Sequence, residues 1–435
     1  MTYTERDVIA SGPLTYGQAS TISEIADLPG GGEGANIIRR VTLDAAVPLV
    51  EIHEAIFRVV QLHSSLRTVI KFDGIESASQ NVVRNAALPV AECGPEDYGS
   101  AVAALRSYDL QTFSDLMWKI VLKVEEGMVG DFAIVIHHAI CDGRGIEAFQ
   151  KHIRQVLAGL TPNRDAITQS IDLANLQRSP KNVDRARRYF SRIFAEMPPS
   201  KYPDWRTEPE DERFRYAAVF PAIASSEDVR NTAESYEVSS HTILLALSTL
   251  IASSLSGSRT GTFNVLSDNR TSPPLRETID CLTQEVPLMY SFETADSFRA
   301  LCRRVHQRAM RAYTLGPWDI GDIGELQRAA EARRGASLYI GQFFNYQQTS
   351  RGLAAPGGNK RPEVTRRSTG PVFYVKVSDH AAVDVNVIAS PHLATEGQVA
   401  ALGSAFSSCL AELRSREQCG VGTLVDLIDS SLTGG

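Results

Sequence analysis

The stretch from Phe132 to Leu157 constrains this chain most. Phe132-Ala133-Ile134-Val135-Ile136 is apolar and rich in β-branched residues, the pattern of a buried strand. It runs into His137-His138-Ala139-Ile140-Cys141-Asp142-Gly143. After Gly145, the spacing of Ile146, Phe149, Ile153, Val156 and Leu157 predicts a helix. Two imidazoles and a carboxylate therefore sit at a strand-to-helix junction, where a rigid scaffold aims one side chain into a cleft.

Neighbouring residues on a strand point to opposite faces. His137 and His138 therefore cannot both reach one reacting atom or chelate one metal while the strand persists; one faces a cleft and the other the interior. With no second histidine–carboxylate cluster at ligand spacing, this argues against zinc. A neutral imidazole near pH 7 suits proton removal from an alcohol or amine. Asp142 could orient that imidazole, or pair with an arginine and stiffen the turn. Gly143 gives the backbone freedom and lets a substrate approach the main chain. A lone histidine is more often a satisfied core residue, but the His pair with Asp-Gly at this offset favours the catalytic reading. Cys141 reads as a bystander, and no Gly-x-Ser-x-Gly elbow offers an acyl-serine route. Direct transfer between two bound substrates is the economical mechanism.

At 435 residues the chain exceeds what one core usually organises, so two mixed α/β domains are expected. Helices are expected near 50–60, 227–236, 242–255, 295–313 and 396–414. Strands are expected near 36–43, 119–124, 132–137, 262–266, 337–344, 372–377 and 382–388. The proline-spaced stretch 158–212 reads as an inter-domain crossing, with the domains at 1–178 and 179–435, and 352–369 as an exposed loop. A net charge of −7 gives no general pull toward nucleic acid or anionic membrane. Six scattered cysteines suit a reducing cytosol. The N-terminus lacks signal-peptide character, and Ile243–Leu255 reads as a buried helix capped by Ser239 or Ser240 rather than a membrane span. A cytoplasmic monomer is expected.

His137 to Gly143 matches the His-His-x-x-x-Asp-Gly signature of the condensation-domain and acyltransferase superfamily. Leu14-Thr15-Tyr16-Gly17-Gln18 resembles its opening Leu-Ser-x-x-Gln segment, and Leu62-His63-Ser64-Ser65-Leu66-Arg67-Thr68 its Arg-His-x-x-Leu-Arg-Thr segment. Ser267-Asp268-Asn269-Arg270, Val286-Pro287-Leu288 and Phe344-Asn345-Tyr346 resemble later conserved-order regions. The resemblance implies two chloramphenicol-acetyltransferase-like lobes in a V, with a central tunnel entered by donor and acceptor from opposite faces. It also implies that His138 is catalytic, that His137 is structural, and that Asp142 forms a salt bridge with Arg67 beside Gly143. Departures are Arg144 and Gly145 where peptide synthetases commonly have Trp and Ser, and Asp280 and Gln284 where glycine and asparagine are usual. Gly145 thereby removes a hydroxyl that could touch the substrate.

The function so implied is a free-standing condensation enzyme of specialised metabolism. It would move an acyl or aminoacyl group from a carrier-protein phosphopantetheine thioester to an alcohol or amine, with no permanently bound cofactor and no metal. A coenzyme A-dependent O-acyltransferase and a non-catalytic recruitment module are the alternatives. The basic faces Lys181, Arg185, Arg188, Arg192 and Arg303, Arg304, Arg308, Arg311 are candidate contacts for an acidic carrier protein, or solvated helix faces.

Overall fold

The computed structural model describes residues 7–26, 35–71, 78–84, 87–105, 108, 115–209, 212–348, 363–367, 370–416 and 418–433. The chain forms two compact units. The first comprises Met1–Ala186, Asp268–Gln284 and Gly316–Ile323, and the second Arg187–Ser267, Glu285–Leu315 and Gly324–Gly435. The later half of the sequence thus lends two segments to the first unit. The division falls inside the helix Pro180–Glu196. The chain thus passes between units within the proline-spaced stretch 158–212, which is helical over this segment and at Ser170–Gln177.

In the first unit, β1 (Val8–Pro13), β3 (Thr68–Lys71) and β4 (Ser79–Val83) form a three-stranded antiparallel sheet in the order β1-β4-β3. A second sheet has the order β2-β7-β6-β5, built from β2 (Asn36–Pro48), β5 (Val90–Cys93), β6 (Trp118–Glu125) and β7 (Met128–His137). Strand β7 lies between two antiparallel neighbours. Both of its faces are covered. Phe132, Ile134 and Ile136 join the main core with Ile52, Ile56 and Val59 of the helix Leu49–Leu62. Ala133 and Val135 meet Val102 and Leu105, at and just beyond the helix Pro95–Ala104. A strand covered twice reads as an unbroken apolar run rather than an alternation.

The opening motif is a helix cap. Thr15 N–H donates to Gln18 Oε1 at 2.9 Å, and Gln18 N–H to Thr15 Oγ1 at 3.2 Å. This reciprocal box starts the helix Tyr16–Ala26. Gly17 is required by close approach: a Cβ there would lie 2.0 Å from the Cys281 carbonyl oxygen.

The second unit holds a seven-stranded sheet in the order β10-β9-β11-β13-β14-β8-β12. Its strands are β8 (Arg215–Ser225), β9 (Thr260–Ser267), β10 (Gln284–Ser291), β11 (Gln342–Gln348), β12 (Thr365–Arg367), β13 (Phe373–Asp379) and β14 (Ala382–Ala389). The helix Ser240–Ser256 is buried from Thr242 to Ser253, capped by Ser239 and ended by Gly257 at φ 63°. The strand expected at 337–344 is instead β11, because pairing fixes its start. Gln342 opens the register with Phe373 on one side and Phe263 on the other. Part of the expected loop at 352–369 is the edge strand β12; residues 352–362 and 368–369 lie outside the described residues, as does the N-terminus at 1–6. No single helix among the described residues is long and apolar enough to cross a membrane.

Gly17→Ala should lower stability by about 1–3 kcal/mol, because the collision is with backbone rather than with a yielding side chain. Urea unfolding of the purified variant measures it.

Candidate active site

Strand β7 ends at His137, and the helix Gly143–Leu157 begins six residues later. His137 points inward: it is 1% exposed. Its Nδ1 accepts the Ala139 N–H at 3.1 Å. Burial, and then its neighbour His138, push its pKa down to about 4, so it stays neutral at pH 7. Its Nε2 finds no hydrogen-bond partner among the described residues. His138 is half-buried, held by its N–H on the Ala35 carbonyl at 2.8 Å. The strand ladder stops at His137, so His138 lies in the turn beyond it, and the two rings differ in burial.

Asp142 is 1% exposed and caps the helix that follows. Oδ1 accepts Gly145 N–H at 2.8 Å and Arg270 Nη2–H at 2.8 Å; Oδ2 accepts Arg270 Nη1–H at 2.7 Å. Oδ2 also accepts the N–H groups of Leu282 and Thr283 at 3.0 Å each, and Thr283 Oγ1–H at 2.9 Å. Burial alone would raise this carboxyl, but the Arg270 charge and hydrogen bonds, with Gly145 N–H, hold it below the usual carboxylate range. Asp142 is thus spent on structure.

The arginine paired with Asp142 is Arg270, which corrects the expected partner, Arg67. Arg67 is buried elsewhere and, among the described residues, donates to backbone: Nε to Val60 O at 3.1 Å, Nη1 to Val83 O at 3.0 Å and Nη2 to Gln61 O at 3.5 Å. It ties the end of the helix Leu49–Leu62 to β4. Arg270 was visible in the Asp268-Asn269-Arg270 run, but sequence distance hid its partner.

The segment Asp268–Gln284 is anchored at two further points. His63 Nε2 meets His152 Nδ1 at 2.9 Å, and His152 Nε2 meets Glu277 Oε2 at 3.0 Å. With Glu277 accepting from Nε2–H, His152 Nδ1 must accept from His63. Burial, then His152, holds His63 well below the usual imidazole range. Gln284 donates to Trp318 O at 2.8 Å and accepts Trp318 N–H at 3.1 Å.

Gly143 has open space: a Cβ there would meet nothing within 4 Å among the described residues. Gly145 does not. A Cβ there would lie 2.9 Å from Cys141 Sγ and 3.3 Å from the Asp280 carbonyl. A side chain at 145 would therefore meet Cys141 and the Asp280 backbone. Cys141 is fully buried and its thiol is pushed well up by burial and then by Asp142, as suits a bystander. Cys281, which the sequence did not single out, brings its Sγ to 3.5 Å from His138 Nδ1.

Asp280 is 0% exposed. Its Oδ1 accepts Cys281 N–H at 2.7 Å, while Oδ2 has no hydrogen-bond partner among the described residues. Burial, with the nearby Asp142 charge adding to it, pushes its pKa up to about 7.

The basic faces are partly neutralised. Arg192 pairs with Glu196 at 3.0 Å, Arg303 with Glu237 at 2.8 Å and Arg304 with Asp296 at 2.6 Å. Arg308 donates to the Met289 carbonyl at 2.8 Å.

A condensation-domain profile matches residues 39–398, and the chain belongs to the condensation-domain family. Among curated proteins it is similar to nonribosomal peptide synthetase kk1B of Curvularia clavata, 21% identical over 289 residues. That alignment covers 62% of this chain and 2% of the relative's own length. Among solved structures it resembles the condensation domain of the monacolin K polyketide synthase MokA, with TM-score 0.74, 15% identity, 95% of this chain and 100% of that one. It also resembles a domain in a study of condensation domain-mediated chain release from the enacyloxin polyketide synthase, with TM-score 0.72, 18% identity, 99% of this chain and 85% of that one. A variant starter condensation domain of rhizomide synthetase RzmA in complex with C8-CoA matches with TM-score 0.71, 15% identity, 95% of this chain and 97% of that one. These likenesses establish the fold as that of condensation domains.

Arg270→Ala strands the Asp142 charge and should cost about 3–5 kcal/mol, read as a lower urea midpoint. Asp280 has a raised folded pKa, so its contribution is fully present below its ordinary value of 3.8 and is lost as pH rises through about 7. Asp280→Asn should therefore lose less Tm than the parent between pH 5 and pH 8, as measured by calorimetry.

Proposed function

We propose that this chain transfers an acyl or aminoacyl group from a thioester to an alcohol or amine in the assembly of a specialised metabolite, with His138 as general base. The observation that carries the reading is the division of labour at the junction. Asp142 has both carboxylate oxygens occupied as acceptors and His137 is buried, which leaves His138 as the accessible base beside an open Gly143.

The chemistry follows from that ring. The acceptor O–H or N–H gives its proton to His138 Nε2 as the heteroatom attacks the thioester carbonyl carbon. The tetrahedral intermediate then collapses, the C–S bond breaks, and the proton passes to the departing thiolate. The products are an ester or amide and a free pantetheine thiol. General-base help of this kind contributes about 10²–10⁴-fold, and holding both substrates against one base adds the larger gain of proximity.

The donor is a phosphopantetheine thioester on an acyl or peptidyl carrier protein in the cytoplasm, and no cofactor stays bound. His137, Asp142 and Gly143 shape the site around His138, with Arg270 holding Asp142. The C8-CoA complex of the rhizomide relative supports free coenzyme A thioesters as the second reading for the donor.

Purified protein is offered loaded carrier proteins and coenzyme A thioesters, each with alcohol and amine acceptors, and product is read by intact-mass spectrometry. His138→Ala should reduce turnover at least about 100-fold. Unchanged turnover would remove His138 as the base. Success with coenzyme A esters alone would select the second donor, and carrier binding without turnover by the parent protein would make the chain a recruiter.

A further inference from the structure

His138 Nδ1 has a sulfur partner. Cys281 Sγ lies 3.5 Å from it, and the same Sγ lies 3.5 Å from Thr21 Oγ1. We propose that Cys281 is a positioning residue for His138: its sulfur accepts the Nδ1–H while its own S–H turns to Thr21 Oγ1. The imidazole then keeps its Nε2 lone pair for the incoming acceptor. This deepens the function proposed above and rests on His138 being the base.

Three observations carry it. First, a general base needs a partner that sets its tautomer, and Asp142 does not serve: Arg270, Gly145, Leu282 and Thr283 fill it. Cys281 is the side chain that meets Nδ1. Second, Cys281 is fixed. It is 1% exposed, its N–H is on Asp280 Oδ1 at 2.7 Å, and its carbonyl abuts Gly17. The next two residues donate to Asp142. A ring resting on that sulfur inherits the rigidity of the Asp142–Arg270 cluster. Third, burial, and then the Asp142 charge, push the Cys281 thiol well above its ordinary range. Burial thus favours the neutral S–H at this contact. A neutral thiol is at once a weak donor and a weak acceptor, so the direction of its proton decides the tautomer. Thr21 is the group that turns it away from the ring.

The direct test is 15N NMR of histidine-labelled protein at pH 8, with the His138 signal assigned by its loss in His138→Gln. The parent should show the Nδ1-protonated tautomer. Thr21→Val keeps the packing but removes the hydroxyl, and should move the ring toward the Nε2-protonated form. In kinetics, Cys281→Ala should lower kcat by about 10- to 100-fold, the cost of a misplaced reacting group, with KM little changed. Cys281→Ser should restore most of kcat, because its hydroxyl can also accept and donate; a purely packing role would not separate the two variants in this way. An Nε2-protonated ring in the parent, or equal kcat for the parent and the alanine variant, overturns the proposal. Should His138→Ala keep full turnover, the base assignment fails instead, and the NMR experiment still decides the sulfur contact.

Discussion

The bidentate ion pair between Asp142 and Arg270 organises this protein's site. Both residues are almost wholly buried, with side chains 1% and 3% exposed, so the charge on each depends on the other. In such surroundings an ion pair adds little net stability over apolar packing, yet loss of one partner is severe. Here the pair does geometric work. Asp142 starts the Gly143–Leu157 helix through Gly145, and Arg270, Leu282 and Thr283 bring the Asp268–Gln284 segment onto the same carboxylate. One side chain thereby locks a strand end, a helix start and a segment from more than a hundred residues later.

That lock explains the unlike environments of the two histidines. His137 completes the strand and is sealed, with its proton affinity depressed by burial. His138 comes after the ladder ends and stays half-buried, against a sulfur that belongs to the locked segment. The bond network that holds Asp142 also holds Cys281 and Asp280. The site's stiffness is therefore shared across groups that differ widely in polarity: an ion pair, a thiol and a carboxyl that burial keeps largely protonated at mildly acidic pH. The His63–His152–Glu277 chain is a second clasp on the same segment, made by neutral rings hydrogen-bonded in series.

Membership of the condensation-domain family fits this construction. Several short motifs visible along the chain turn out to be places where distant segments are joined. The Thr15–Gln18 pair is a reciprocal helix cap, and Gly17 between them is small because the Cys281 carbonyl passes there. His63 and Arg67, close in the chain, act apart: one reaches the Asp268–Gln284 segment through His152, while the other satisfies carbonyls at a helix end and on β4. Gly145 is small where Cys141 Sγ and the Asp280 backbone pass close to it.

The sequence by itself determined what depends on local order. The apolar run before His137, the periodicity after Gly145, a serine cap at 239 or 240 and several helices were legible because spacing and capping act over a few residues, whereas the helices Tyr16–Ala26, Pro95–Ala104, Ile320–Arg334 and Val421–Thr433 were not read. The different burial of the two histidines follows from where the strand stops, which pairing with β2 decides. Tertiary structure decided what depends on pairing across distance. The start of β11 follows from its partners at Phe373 and Phe263, which no periodicity contains. The arginine beside Asp142 is 128 positions away, and the chosen candidate, Arg67, lost to it because buried carbonyls claimed its guanidinium. Cys281 gave no signal at all: an isolated cysteine becomes a partner for His138 only when the fold carries its segment back to the strand end, since hydrogen bonds follow separation in space and the chain records only order.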